Sequence, residues 1–100
     1  MIKQAVVGAV AMLVLSGSVQ ALDVARAKSN YDRYCAACHG FNGMSVAPDV
    51  PHLRMNQGLL QPDMQILTRL KTGGPRKPPM VGIMSDQELL DVISYTRTFR

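Results

Sequence analysis

The chain has 100 residues and a mass of 10.9 kDa, room for one small domain. Hydrophobic residues make up 47% and charged residues 18%, which excludes a disordered tail, a collagen-like array or a low-complexity segment. The net charge of +4 is mild and scattered, with no basic stripe and interleaved aromatics, so no nucleic-acid-binding module is indicated. At the N-terminus Lys3 precedes an apolar run over residues 5–15 (AVVGAVAMLVL), followed by small and polar residues ending in Val19-Gln20-Ala21. This is the layout of a cleaved secretory signal peptide, 1–21, which implies export to the periplasm and a mature domain over 22–100. A retained anchor is the alternative, but the run is shorter than the ~20 residues of a membrane span, so no stable span is expected after cleavage. A mature chain of 79 residues without Trp is short of core material and calls for a staple.

Residues 24–34 place Ala27, Tyr31 and Tyr34 at helical spacing, predicting a short helix that runs into Cys35. Residues 40–58 hold three glycines, two prolines and two asparagines, and read as loop. Pro62 and Asp63 open a second helix through Met64, Ile66, Leu67 and Leu70 to Lys71, with Gly73 and Gly74 as its stop; Met64 reads as a core filler. Pro75, Pro78 and Pro79 exclude helix over 75–82. The last helix starts at a capping box of Ser85 and Glu88 and repeats Leu89, Val92, Ile93, Thr96 and Phe99 on one face. No strand pattern appears, so the fold class is all-α.

Between the first helix and the loop stands Cys35-Ala36-Ala37-Cys38-His39. A disulfide across three residues closes a tiny loop and staples almost nothing. A thioredoxin-like role needs a βαβ setting, and zinc would need a second cysteine pair beyond Cys35, Cys38, His39 and His52. Cys-x-x-Cys-His is instead the attachment pattern of haem c. On a helical turn, positions i, i+3 and i+4 share a face, so two thioethers and one proximal imidazole, His39, can serve a single porphyrin. One covalent haem also supplies the apolar bulk that the composition lacks.

The sixth iron position decides between carrying electrons and binding small molecules, and a thioether suits the first. Met44 is too near His39 to reach the far face; Met55 has no special support; Met64 belongs to a helix face. Met80 lies in a segment stiffened by Pro78 and Pro79 and is the favoured ligand, with Met84 the second candidate although its place before Ser85 also suits a hydrophobic staple.

The run CAACHGFNGMSVAPDVPHL, the Pro-Met loop and SDQELLDVISYTRTF resemble the class I cytochromes c, most closely the short bacterial ones of the c4, c5 or c6 kind, over residues 24 to 100. The resemblance implies three to four helices around one covalent haem, with the first and last crossing so that Tyr31 or Ala27 meets Tyr95 and Ile93. It implies a proline carbonyl accepting from the proximal imidazole, placed here on Pro48. Counted back from Ser85 without gaps, the family's ligand methionine falls on Lys77; a loop shortened by about three residues restores Met80, and Lys77 is then a charge near the haem edge. His52 reads as a surface polar residue rather than a distal ligand.

The function expected is an exported one-electron carrier and not an enzyme, since no residues form a nucleophile–base pair. Its partners are redox proteins, a dehydrogenase, reductase or oxidase, met as a monomer or as a subunit of their complex. Arg76, Lys77 and Lys71 are placed to steer docking. A five-coordinate haem binding gas or peroxide, and a dedicated subunit docked through Met55, Leu59 and Leu60, are the competing readings.

Overall fold

The computed structural model describes residues 22–99; the segment read as a signal peptide lies outside them. Among these residues four α-helices follow in chain order: α1 (Val24–Tyr34), α2 (Ala36–His39), α3 (Asp63–Thr72) and α4 (Asp86–Thr96). Among the described residues there is no strand, only an isolated bridge between Gly74 and Lys77, so the domain is a small all-α fold. No helix among them is long and apolar enough to cross a membrane.

The starts of α1 and α4 are capped by side chains. Asp23 caps α1, its Oδ1 accepting from Arg26 N at 3.0 Å. Pro62 precedes α3, where a missing N–H costs nothing. In α4 Ser85 Oγ accepts from Glu88 N at 3.1 Å while Glu88 Oε1 accepts from Ser85 N at 2.9 Å, the reciprocal box read from the sequence.

The first and last helices pack through Tyr31, whose ring lies 5.6 Å from Tyr95 and 5.2 Å from Phe99 in tilted and edge-on arrangements. Leu89, Val92, Ile93 and Thr96 are the buried face of α4, and Phe99 joins them from beyond the helix end. Arg26 and Glu88 pair across the two helices at 3.0 Å. Arg97 fastens α4 to the approach of α3, donating to Asp63 Oδ1, Leu59 O and Gln61 O at 2.9–3.0 Å.

Several expectations change. Met64 is 63% exposed, because α3 buries Ile66 and Leu67 instead and turns Met64 to solvent. Tyr34 is only partly covered, at 39% exposure. Leu59 is buried, leaving Met55 and Leu60 as the exposed members of the suggested docking patch. The 40–58 loop contains a 3-10 turn, Leu53–Met55, ended by Asn56 in the left-handed conformation at φ 62°.

Candidate functional site

The site is built where α1 stops. Cys35 breaks the helix, and its carbonyl then accepts from Cys38 N and His39 N at 3.2 and 2.9 Å. Gly40 closes this turn at φ 80°, with Met44 O where a Cβ would stand, so only glycine fits. Tyr31 Oη donates to Gly40 O at 2.6 Å, tying the turn to the α1–α4 core. Cys35, half-buried, and Cys38, exposed, are both free thiols. Burial, reinforced by Cys38 and opposed by Lys77, pushes the Cys35 thiol up to about 11, so it rests as a thiol at neutral pH.

His39 Nδ1 lies 3.0 Å from Pro51 O. With Nδ1–H donating to that carbonyl, Nε2 is the nitrogen left with a free lone pair. Burial lowers the imidazole pKa, the Pro51 bond raises it and Lys77 lowers it, the net direction favouring the neutral form. The acceptor is therefore Pro51 and not Pro48: the loop needs twelve residues rather than nine to return to His39. Pro48 O serves another purpose, accepting from Arg76 Nη2 at 3.2 Å, while Arg76 also faces Asp49 at 3.7 Å.

A cavity of about 380 Å³ is lined by Cys35, Cys38, His39, Lys77, Met80 and Met84, among others. A second of about 120 Å³ shares Cys35, His39 and Lys77 with it and reaches Tyr31. The loop carrying Met80 is held twice. Met80 N donates to Leu70 O at 2.9 Å, and Gly74 N to Lys77 O at 2.8 Å. Gly73 turns it at φ 71°, where a Cβ would meet Lys77 O and Pro79 N at 2.7 Å. Met80 and Met84 are both buried, at 7% and 6% exposure, so both sequence candidates reach the cavity. Met44 and Met55 are exposed.

Lys77 and Arg69 also line both cavities, and among the described residues neither has a carboxylate partner. Burial lowers the Lys77 pKa and the Arg69 charge lowers it further, two cations facing one space without an anion. Lys71 is paired with Asp86 at 3.0 Å, and Arg76 faces Asp49 at 3.7 Å. An apolar space with two thiols, a neutral imidazole, thioethers and unpaired cations fits a planar apolar ring bearing acid groups and a metal, as haem c does. Cys35, Cys38, His39 and His52 do not gather into a bare-ion site.

Sequence reasoning missed Pro51, Arg69 and the structural part of His52, which is half-buried with Nδ1 accepting from Ser45 N at 2.8 Å. Arg69 sits one helical turn after Gln65 on α3, and nothing in its neighbourhood along the chain marks it. Residues 22–95 match the family model described as "Cytochrome C oxidase, cbb3-type, subunit III". A comparison with curated proteins finds no match.

Proposed function

The chain belongs to the family of cytochrome c oxidase, cbb3-type, subunit III, and on that premise we propose that its haem c is joined to Cys35 and Cys38 and ligated by His39 and Met80. Membership makes it a class I cytochrome c domain, an electron-transfer protein with one covalent haem. The haem, when bound, supplies the one-electron ferric–ferrous couple. The chain does the rest. Pro51 orients His39 through Nδ1 and strengthens it as a donor. The two ties on the 73–80 loop present a thioether, the ligand that favours the ferrous state. Leu89, Val92 and Leu70 wall the cavity with apolar surface, and Lys77 and Arg69, which also line it, would offset acid groups on a bound ring.

The observation that carries this reading is the convergence of Cys35, Cys38, His39 and Met80 on one cavity. The setting proposed is periplasmic, reached through the 1–21 segment, and the partner is a terminal oxidase or a dehydrogenase of which the chain is a carrier or subunit. Visible and near-infrared spectra of the holoprotein test the ligands. A low-spin spectrum with a methionine-to-iron band, lost in Met80→Ala, is expected; persistence of the band in that variant assigns the ligand to Met84. A high-spin ferric spectrum with ready carbon monoxide binding contradicts the reading in favour of a five-coordinate site. Co-purification with a catalytic chain decides between carrier and subunit.

A further inference from the structure

We infer that Arg97 is a positioning residue for the redox site: its guanidinium holds residues 59–61 in the register that buries Leu59 against the cavity, and that cover biases the protein toward the reduced state. This rests on the haem being ligated by His39, as proposed above.

Arg97 stands just after α4, and its guanidinium bonds go to one short stretch of chain. Nη1 donates to Leu59 O at 2.9 Å, Nη2 to Gln61 O at 3.0 Å and Nε to Asp63 Oδ1 at 3.0 Å, with Nη2 also 2.8 Å from that carboxylate oxygen. The planar fork thus grips two carbonyls, one on either side of Leu60. The other bonds of residues 59–61 are local, Leu59 N donating to Asn56 O at 3.1 Å and Gln61 Nε2 to Gly58 O at 2.9 Å. Among the described residues, Arg97 alone hydrogen-bonds this stretch to a distant part of the chain.

Leu59 and Leu60 are neighbours with opposite placements. Leu59 is 5% exposed and lines the cavity of about 120 Å³ together with His39, Pro51, Val92 and Thr96, whereas Leu60 is 87% exposed. Burying either of two identical side chains contributes alike, so hydrophobicity does not choose between them. The choice falls to the backbone, and the tie to Arg97 fixes it. The oxidised site carries one more positive charge than the reduced one, and apolar cover penalises the more charged state. Leu59 therefore favours the reduced protein while Arg97 keeps it in place.

The test is a redox titration of the holoprotein at neutral pH, read together with solvent exchange of the His39 Nδ1–H resonance in the ferrous form. In Arg97→Met the ratio of reduced to oxidised protein at a fixed ambient potential falls at least about threefold, as water reaches the more charged state. The exchange quickens about tenfold, as expected when a local opening becomes easier by the worth of one or two hydrogen bonds. Arg97→Lys, which keeps the charge and lacks the fork, shows the same fall. Leu59→Ala lowers the ratio too, and adding Arg97→Met to it lowers the ratio no further, because both act through one side chain. Glu88→Gln, which loosens the opposite end of α4, keeps the wild-type ratio. A wild-type ratio in Arg97→Lys reports charge alone and overturns the inference, as does an equal fall in Glu88→Gln or a pair of falls that add in the double variant. A low-spin wild type whose ratio every variant keeps overturns this inference and leaves the ligand reading standing, whereas a wild type without low-spin bands overturns both.

Discussion

Tyr31→Phe isolates one bond between the α1–α4 core and the attachment turn. Tyr31 is fully buried and its hydroxyl donates to Gly40 O at 2.6 Å, while the ring makes its contacts with Tyr95 and Phe99 independently of the oxygen. The substitution keeps the packing and leaves a buried carbonyl without its partner, a loss of about 2 kcal/mol from the 1–3 kcal/mol cost of an unsatisfied buried group. For a domain of this size, with an unfolding entropy of about 2.1 cal/mol/K per residue, that corresponds to a fall in Tm of roughly 10 °C. Thermal and urea unfolding of the oxidised holoprotein, followed by circular dichroism, measure it, and the urea m-value should not change. A fall below about 2 °C would show that the Gly40 carbonyl finds another donor and that the bond does not secure the turn. The phenol adds an alkaline signature. Burial above all, with Tyr95 and Asp32 adding, raises its pKa, so the unfolded chain loses its proton first. Stability therefore declines as pH rises above about 10, and Tyr31→Phe lacks this component.

Gly73→Ala forces a Cβ against Lys77 O and Pro79 N, so the 73–80 loop must shift; the expected result is a weakened or lost methionine-to-iron band with the haem still attached, seen by absorption spectroscopy. Arg97→Met removes three donor contacts from a half-exposed guanidinium and should cost about 1–3 kcal/mol in urea unfolding, with Arg97→Lys recovering little because an ammonium lacks the planar fork. Glu88 has its pKa lowered, chiefly by the Ser85 N–H and less by Arg26. Its contribution is present above the ordinary carboxylate pKa and disappears as pH falls through the lower folded value, so wild type and Glu88→Gln should converge in stability in acid; a gap that stays constant refutes it.

The helices were legible because each carries its own local marks. Val24–Tyr34 is the span expected from Ala27 and Tyr31, and the Ser85–Glu88 box fixes the start of α4. The motif placed Cys35, Cys38 and His39 on one turn because i, i+3 and i+4 adjacency is a local property. What the sequence could not supply were relations across the loop. Choosing between Pro48 and Pro51 depends on how many residues the chain spends returning to His39, and that is set by Gly43, whose N–H binds Gly40 O, and by the bond between Arg54 N and Gly43 O. Met64 misled because it shares helical phase with Leu67, yet the apolar stripe of α3 is only as wide as Ile66 and Leu67. Met80 is favoured over Met84 in the sequence by the prolines before it, and the fold brings both to one cavity.

Intact-mass spectrometry of the purified protein under denaturing conditions, alongside Cys35→Ala/Cys38→Ala, tests the covalent attachment most directly. Mature polypeptide plus one haem is expected for wild type, with haem released from the double variant on unfolding. A wild-type mass equal to the polypeptide alone, from cells able to attach haem to other proteins, would contradict it.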